Sequence, residues 1–453
     1  MKAAVKLYSI LFWVAFLSGL AWIIYIFSKS PGVPVQDEIA HILISRNAWN
    51  YPELLLNKWG RPINTLFYMP GSLAGLTGAR WFSIIAASLT VILAAKIAQK
   101  MGLKSLFLIP VFLWFQPWFN DLSYAAITEV PFSLFLILGV YLGLDKKETL
   151  ASIPLALLPL VRHEGIALLG IWCFYLLLKR KWRAIIVAVS PMVLYNLIYQ
   201  IVLNRLPSSI FLSFKPTDFY GSGSWFHFVQ PTIRSVGIPI CIYSFFSFVP
   251  IFRLKEKSLV FIVPYAAYFL IHTAIYRFGL FASGGYQLFL LPLAPAFAIS
   301  AALGVQSIIE FTVSRLGLSG RGPEILKASV IIICSILVLN LGLRTRPRGL
   351  CPEAKAMRQV AQLIRDRGLS ENKVVSTHAW FFYFYDLQWK PGELWNKPPA
   401  LDKLGPGTIV VWDSHYSNRC GLSIDVLSDP ANNWKLLAKD NYGTVAIFQK
   451  VKE

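Results

Sequence analysis

Uninterrupted apolar segments are the feature that most constrains this sequence, and the first of them runs from Leu7 to Phe27. Because an α-helix rises about 1.5 Å per residue, roughly 20 apolar residues cross about 30 Å of hydrocarbon. Hydrophobic residues make up 56% of the chain and charged residues 15%, whereas soluble proteins have about 45–50% and about 25%. We therefore predict that residues 1–345 form an all-α polytopic membrane bundle of about eleven transmembrane helices, with short amphipathic interfacial helices in the first outer loop.

The Pro, Gly and charged residues between the apolar segments mark the ends of the predicted spans. Two apolar segments, Leu150–Val161 and Gly165–Leu178, are short for a membrane span. They form either two thin helices or a hairpin whose tip is buried in protein. The other spans are predicted at about residues 7–28, 79–97, 105–119, 122–143, 184–203, 235–252, 258–275, 287–308 and 326–342.

The net charge of +20 comes mostly from short basic clusters between the apolar segments. Such clusters flank membrane helices on the cytoplasmic side, whereas a nucleic-acid surface gathers them on one soluble face. The sequence therefore indicates the lipid bilayer as a partner and no nucleic acid. Lys2 and Lys6 precede the first apolar segment without a small-residue cleavage pattern. This is typical of a retained signal anchor, so we expect a multi-pass protein of the plasma (inner) membrane.

Counting spans from a cytoplasmic N-terminus places the loop after the first helix, and also the C-terminal tail, outside the cytoplasm. Arg344, Arg346 and Arg348 follow the last span on that outer side and argue against this orientation. If the 150–179 segments contain one span fewer or more, the tail is cytoplasmic. We expect the outer placement, since long soluble segments are translocated largely regardless of their charge.

Residues 346–453 predict a small soluble α/β domain. Pro352 to Asp366 has the periodicity of an amphipathic helix. Strands are predicted at 374–376 and 408–412, and a hairpin at 434–438 and 444–448 across Asp440–Gly443.

Several polar residues of this domain are candidates for a site. His378, Asp413 and His415 come just after predicted strands, where α/β sheets place ligands, although turn and capping roles explain them equally well. Cys351 and Cys420 would be free to form one disulfide if the tail is outside the cell; the sequence leaves this open.

The adjacent carboxylates Asp37 and Glu38 follow the first span after a short polar break. An ionised side chain near hydrocarbon costs about 2.5–3.5 kcal/mol, so such a pair is solvated, paired or functional. A helix start explains one acid, because carboxylates favour the first turn, but not the need for two. A carboxylate at a low-dielectric boundary also suits a general base. His41, four residues after Asp37, can share its helix face.

Arg162-His163-Glu164 stands between the two short apolar segments, where three ionisable residues require partners. One interpretation is a local Arg–Glu pair that holds the tip, and the other is contact with a substrate. In the second case Arg162 is the better phosphate ligand, because its planar guanidinium matches phosphate oxygens. Arg277, at the outer end of a predicted span, is a similar candidate.

Four further residues, three at predicted outer turns and one within the helix that follows, are candidates to line a substrate cavity. Asp121 lies at the second outer turn, and Glu129 lies about two turns into the next predicted helix, deep enough to need a partner. Arg61 lies in the turn Trp59-Gly60-Arg61-Pro62, and Tyr286 follows Gly284-Gly285.

No GxxxxGK[ST], GxGxxG, HExxH or GxSxG pattern occurs in the sequence. Nucleotide hydrolysis by a P-loop, dinucleotide binding, zinc proteolysis and α/β-hydrolase chemistry therefore have no support. No cofactor is indicated with certainty, and the sequence leaves a divalent metal open.

The layout resembles the GT-C superfamily of membrane glycosyltransferases. Within it the chain looks closest to the dolichyl- or polyprenyl-phosphate-mannose branch, which includes protein O-mannosyltransferases and bacterial lipid A aminoarabinose transferases. The likeness covers about residues 1–345, and its motifs are short. The residues that carry it are Asp37-Glu38, Gly60-Arg61-Pro62, Gly78-Ala79-Arg80, Phe119-Asn120-Asp121, Thr128-Glu129-Val130-Pro131, Leu160-Val161-Arg162-His163-Glu164-Gly165, Gly284-Gly285-Tyr286 and Leu290-Leu291-Pro292-Leu293-Ala294-Pro295.

The resemblance implies a lipid-phosphate-linked sugar as donor and an inverting transfer to a glycan, lipid or protein acceptor on the outer face. Asp37 would be the catalytic base, with Glu38 supporting it, and Arg162 or Arg277 would hold the donor phosphate. The chain departs from the O-mannosyltransferases in having no motif of the domain they carry between later helices, which makes a glycan or lipid acceptor as plausible as a protein acceptor. The alternative is a transporter or flippase of lipid-linked glycans, in which ionisable residues line a pathway near the midplane.

Overall fold

The structure is a computed structural model that describes residues 2–204, 220–280, 283–369, 371–391, 401–440 and 443–452. Residues 205–219, which lie in the loop between the spans predicted at 184–203 and 235–252, and two residues of the predicted Asp440–Gly443 turn lie outside the described residues. By internal packing the chain divides into two compact units. The first comprises Met1–Lys29 and Arg80–Pro347, and the second comprises Ser30–Ala79 and Arg348–Glu453.

Every regular secondary-structure element that the structure describes in the first unit is a helix. The unit contains one 3₁₀ segment, Gln287–Leu293, and the part of α4 that begins at Arg80. Its helices are α1 (Lys2–Ser28), α4 (Gly75–Lys100), α5 (Leu108–Trp114), α6 (Pro117–Leu122), α7 (Glu129–Leu144), α8 (Glu148–Val161), α9 (Gly165–Leu178), α10 (Trp182–Leu203), α11 (Val229–Val236), α12 (Ile238–Phe245), α13 (Phe248–Phe252), α14 (Glu256–Arg277), α15 (Ala294–Arg315) and α16 (Gly322–Gly342).

Six helical segments within the described residues are long and apolar enough to cross a membrane. The helices α7, α8 and α9 are apolar but have only 16, 14 and 14 residues. The predicted count of eleven spans is therefore not confirmed. The six segments are Leu7–Ser28, Gly75–Lys100, Trp182–Leu203, Glu256–Arg277, Gln287–Arg315 and Gly322–Gly342.

Two predicted spans are broken by residues that cannot continue a helix. The span predicted at 105–119 is divided into α5 and α6 at Pro117, and the residue before it, Gln116, has an extended backbone. The span predicted at 235–252 is interrupted at Gly237, whose φ of 95° lies in the left-handed region. Glu129, predicted about two turns into a helix, is instead the first residue of α7.

Close helix packing in the first unit depends on Gly304, where α15 contacts α12. A Cβ atom at this position would lie 1.8 Å from the backbone carbonyl oxygen of Tyr243. We expect Gly304→Ala to lower the thermal unfolding midpoint of the detergent-solubilised protein, because overpacking costs about 1–3 kcal/mol and a backbone atom cannot rotate away.

The matched control is Gly170→Ala in α9, where an added Cβ meets nothing within 4 Å. Alanine is favoured over glycine in a helix by about 0.5–1 kcal/mol, so this variant should unfold at the same temperature or slightly higher. Equal midpoints for Gly304→Ala and Gly170→Ala would contradict the close approach of α12 and α15.

The second unit combines the first loop with the C-terminal tail. The loop contains α2 (Asp37–Asn47), the 3₁₀ segment Pro52–Leu56 and α3 (Pro62–Ser72). The sequence predicts amphipathic segments lying in the membrane interface, yet nine of the eleven α2 residues are buried inside the protein. Helix α2 packs against α3 and against α18 (Ala379–Tyr385) of the tail. Other parts of the second unit therefore cover most of α2.

The tail has the helix and strands that the sequence predicts. Its helices are α17 (Pro352–Asp366), α18, α19 (Tyr416–Arg419) and α20 (Ile424–Ser428). The strands β1 (Val374–Ser376), β2 (Ile409–Asp413), β3 (Trp434–Lys439) and β4 (Val445–Lys450) form one sheet in the order β1-β2-β4-β3. The β1–β2 pair is parallel, and the other two pairs are antiparallel. The core beneath the sheet contains Val410, Trp412, Leu427, Trp434 and Phe448.

Candidate active site

The acidic pair occupies the first turn of α2. Asp37 is the first helical residue and is half-buried, whereas Glu38 is fully buried. The residue before them, Gln36, makes no side-chain capping bond to the helix. Carboxylates in a first turn interact favourably with the helix dipole. Asp37 is therefore the more accessible carboxylate of the pair.

Gln36 connects this turn to the tail. Its amide nitrogen donates to the Sγ atom of Cys351 at 3.2 Å, and its amide oxygen accepts from the indole N–H of Trp380 at 2.7 Å. Cys351 precedes α17, and its Sγ also accepts from the backbone N–H of Ala354. Two hydrogen bonds to one side chain fix the chain direction at the residue before Asp37. The acidic turn is thereby held against the starts of α17 and α18.

The two cysteines considered for a disulfide, Cys351 and Cys420, are free thiols in the structure. Cys351 instead uses its sulfur as a hydrogen-bond acceptor from both the cap of α17 and Gln36. The thiol therefore has a structural role that does not depend on oxidation.

Three tail side chains that the sequence placed at strand ends or helix starts form one polar cluster in the structure. Glu353 contacts His415 Nδ1 through Oε1 at 3.1 Å and His378 Nε2 through Oε2 at 3.5 Å. The hydrogen bond from His378, together with His415 and opposed by partial burial, lowers the pKa of Glu353 to about 2. Tyr416 packs against both imidazoles, with ring centroids 4.2 Å from His415 and 4.9 Å from His378. Glu353 is therefore an ionised carboxylate held between two histidines.

The other tail candidate, Asp413, shapes the turn that carries His415 and Tyr416. Its carboxylate accepts from the backbone N–H of His415 at 3.0 Å and of Tyr416 at 2.5 Å. The hydroxyls of Thr377 and Ser417 also donate to it. Asp413 is thus a buried turn residue, which is one of the two roles that the sequence left open.

The remaining candidates of the first loop are His41 and Arg61, and both belong to the second unit. His41 is buried and Arg61 is half-buried. His41 stacks on Trp59 and lies 3.4 Å from the amide nitrogen of Asn64 through Nδ1. Arg61 precedes α3 with a left-handed φ of 59°. The strained backbone at Arg61 fixes the turn into α3, which begins with Pro62.

In the first unit the structure brings Glu129, Arg162 and Glu164 together. The Arg162 guanidinium, which is buried, forms ion pairs with Glu129 and, at 2.9 Å, with Glu164. It also donates to the Thr128 hydroxyl at 2.9 Å and lies 4.7 Å from the Phe289 ring centroid. The local Arg–Glu pair considered from the sequence therefore exists, and Glu129 of another helix completes it.

His272 belongs to the surroundings of this cluster and was missed from the sequence. It is fully buried on α14, and neither of its ring nitrogens has a hydrogen-bond partner among the described residues. Its ring packs against Phe289 at 5.3 Å and Tyr268 at 4.5 Å. A single His in an apolar segment gives no sequence signal, because only the fold shows which side chains surround it.

The remaining candidates of the first unit lie at helix ends. Arg277 is exposed at the end of α14, and Tyr286 is also exposed, after the left-handed Gly284 and Gly285. Asp121, near the end of α6, and His163, beside Arg162, are partly exposed. The structure thus separates a buried ion-pair cluster from an exposed arginine within one unit.

No group of three or more His, Cys, Asp or Glu side chains within the described ranges has an arrangement that would hold a metal ion. The side chains of Glu353, His378 and His415 resemble such a set, but the hydrogen bonds of His378 do not fit a metal ligand. His378 Nδ1 accepts from the backbone N–H of Trp380, so this nitrogen carries the lone pair. In the neutral ring the proton then lies on Nε2, the atom that faces Glu353, and a protonated nitrogen cannot bind a metal.

The fold is similar to that of solved membrane glycosyltransferases of the GT-C superfamily. ArnT from Cupriavidus metallidurans superposes with a TM-score of 0.65 in the apo state and 0.63 bound to undecaprenyl phosphate. The matches cover 99% and 97% of this chain, 98% of the ArnT chain, and have 13% identity. The resemblance that the sequence motifs indicated is therefore confirmed at the level of the fold.

Two more distant structures share the fold. The oligosaccharyltransferase of Archaeoglobus fulgidus, tethered to an acceptor peptide, has a TM-score of 0.54 and 11% identity over 96% of this chain and 74% of its own. The arabinofuranosyltransferase AftD from Mycobacteria has a TM-score of 0.51 and 14% identity over 97% of this chain and 40% of its own. No family model and no curated protein sequence matches the chain.

Proposed function

We propose that this chain is a membrane glycosyltransferase that moves a monosaccharide from a polyprenyl- or dolichyl-phosphate donor to an acceptor hydroxyl on the outer membrane face. The acceptor is a glycan, a lipid or a protein. The observation that carries the proposal is the half-buried Asp37 carboxylate in the first turn of α2, directly after Gln36, whose side chain makes two hydrogen bonds to the tail. The similarity of the whole fold to ArnT supports the class of reaction.

In the proposed reaction Asp37 is the general base. Its carboxylate takes the proton of the acceptor hydroxyl as the hydroxyl oxygen attacks the anomeric carbon of the donor sugar. The bond between that carbon and the phosphate oxygen breaks, and the lipid phosphate leaves with the electron pair. A single displacement of this kind inverts the anomeric configuration. Glu38, which is fully buried, supports the first turn of α2.

Charge develops on the phosphate as it leaves, and a guanidinium close to it would stabilise the transition state. Of the two arginines proposed for this role, Arg277 is favoured because it is exposed at a helix end. The Arg162 guanidinium already donates to Thr128, Glu129 and Glu164. We therefore propose Arg277 as the main donor-phosphate ligand, and the ion-pair cluster as the structural anchor of the α8–α9 tip.

Replacing Arg277 by glutamine should raise the KM for the lipid-phosphate donor about 10–100-fold, since a hydrogen bond to a charged group is worth about 1.5–3 kcal/mol. Steady-state kinetics at varied donor concentration measure this. The matched control is Arg315→Gln, which removes an exposed arginine from the last turn of α15. An unchanged donor KM in Arg277→Gln would remove this residue from the proposal.

The direct test reconstitutes the purified protein in liposomes with a polyprenyl-phosphate donor carrying a radiolabelled sugar. Transfer predicts that label appears on the added acceptor and that free polyprenyl phosphate accumulates in equal amount. Movement of the intact lipid-linked sugar across the bilayer without any transfer would contradict the proposal and favour a flippase.

A further inference from the structure

A groove at one end of the first unit has no part in the reaction proposed above. It lies where α15 ends and α16 begins, beside the residues that precede α5, and it has a volume of about 370 Å³. The helices α5, α15 and α16 pack against one another in pairs, and all the lining residues belong to the first unit. The volume falls in the range of about 300–1,000 Å³ that is typical of small-molecule sites.

The floor of the groove is apolar. Leu108, Val305, Ile309 and Ile331 line it, and each of them is at most 9% exposed. The helices α15 and α16 belong to two of the six segments that are long and apolar enough to cross a membrane. A groove at the ends of such helices lies where hydrocarbon gives way to water. Its ligand therefore has to present both an apolar part and a polar part.

The rim of the groove carries two cations and two anions. Lys104 Nζ contacts Glu310 Oε1 at 3.1 Å, and Lys327 Nζ lies 4.0 Å from Glu324 Oε2. Lys104, Glu310 and Glu324 are exposed, and exposed ion pairs contribute little to stability because water and salt screen them. A ligand with its own anion and cation can therefore replace both partners of a pair at little cost. The two opposite charges on the ligand match a rim whose charges sum to zero.

Two neighbouring side chains hold the rim in place. Gln306 accepts through Oε1 from the backbone N–H of Lys104 at 2.9 Å and donates through Nε2 to Glu310 Oε1 at 3.2 Å. Lys327 Nζ donates to the Tyr8 hydroxyl at 2.7 Å and lies 5.2 Å from the centre of its ring. Both contacts of Glu310 use Oε1, and within the described residues Oε2 makes no hydrogen bond. This second oxygen is available to a donor from a ligand.

We propose that the groove binds one membrane phospholipid whose headgroup carries a phosphate and a primary ammonium group, as in phosphatidylethanolamine. The phosphate accepts from Lys104 and Lys327, and the ammonium donates to Glu310 and Glu324. A primary ammonium has three N–H donors for carboxylate oxygens, whereas the trimethylammonium group of phosphatidylcholine has none. The first carbons of an acyl chain cover the apolar floor. This site goes beyond the proposed sugar transfer and does not depend on it.

Native mass spectrometry of the purified full chain in detergent tests the proposal on the unmodified protein. Phosphatidylethanolamine, phosphatidylcholine and phosphatidylglycerol with identical acyl chains are added in separate titrations. We expect one phosphatidylethanolamine to bind about tenfold more tightly than either of the others, because only it makes charge-assisted hydrogen bonds to the carboxylates. Equal affinity for phosphatidylethanolamine and phosphatidylcholine, or a preference for phosphatidylglycerol, would overturn the proposal.

The double variant Glu310→Gln/Glu324→Gln should lose the preference for phosphatidylethanolamine over phosphatidylcholine, since a neutral amide binds an ammonium group more weakly than a carboxylate does. The matched control is Glu148→Gln/Glu256→Gln, which removes two acids from the first turns of α8 and α14, outside the groove. The control should keep the preference. A preference that persists in the groove variant, or that the control loses equally, would contradict the assignment.

A photocrosslinking experiment locates the lipid without any variant. Phosphatidylethanolamine with a diazirine on the first carbons of one acyl chain should label the groove floor at Leu108, Ile309 or Val313 on irradiation. Labelling confined to other parts of the chain would place the lipid elsewhere and overturn the site. Displacement of the lipid by an equal concentration of soluble O-phosphoethanolamine would also overturn it, because the apolar floor would then contribute nothing to binding.

Discussion

Asp37→Asn should reduce sugar transfer from a polyprenyl-phosphate donor by about 10²–10⁴-fold, the range that general base catalysis contributes. Asparagine has nearly the same shape as aspartate and keeps a carbonyl oxygen, but it cannot accept the proton of the acceptor hydroxyl. The change should therefore lower kcat and leave the donor KM nearly unchanged, because the loss falls on the transition state. Transfer of radiolabelled sugar, followed over time at saturating donor, measures kcat.

The control for this variant is Glu53→Gln, which removes an exposed carboxylate from the 3₁₀ segment Pro52–Leu56 of the same loop. We expect wild-type kcat in the control. Full turnover in Asp37→Asn would exclude Asp37 as the base. A large rise in donor KM with normal kcat would instead assign Asp37 to donor binding.

Arg162→Met should destabilise the first unit by about 3–5 kcal/mol, because it leaves buried carboxylates without their counter-charge. Glu129 is buried, and the Glu164 side chain is only 12% exposed, so water cannot replace the guanidinium at either of them. Methionine fills much of the space of the arginine stem, which separates the loss of charge from the loss of packing. Thermal unfolding of the detergent-solubilised protein, or proteolysis during heating, measures the change.

The matched control is Lys179→Met, which breaks an ion pair with Glu256 in which the two side chains are 46% and 48% exposed. Water and salt screen such a pair, so the thermal midpoint should hardly move. In the double variant Glu129→Gln/Arg162→Met the loss should be smaller than the sum of the two single losses, since the partners interact directly. An unchanged midpoint with a raised donor KM in Arg162→Met would favour phosphate binding by Arg162 over the structural role.

Local patterns in the sequence predicted the elements that depend on local chemistry. The helix Pro352–Asp366 has the bounds that its periodicity predicts, and the four tail strands lie within a residue or two of their predicted positions. The cost of burying an ionised residue predicted that Glu129 has a partner, and Arg162 is that partner. The count of eleven spans is not confirmed, and Pro117 and Gly237 break apolar segments whose composition alone would allow them to continue.

The acidic pair shows most clearly where the sequence reaches its limit. Asp37 and Glu38 were recognisable as an unusual pair after a membrane helix, from charge and position alone. Only the tertiary structure distinguishes them, by burying Glu38 completely and leaving Asp37 half-buried beside the tail. The contact responsible, from Trp380 to Gln36, joins residues 344 positions apart. Hydrophobic periodicity reports the neighbours of a residue along one helix or strand, and it contains no information about a partner brought in by the fold.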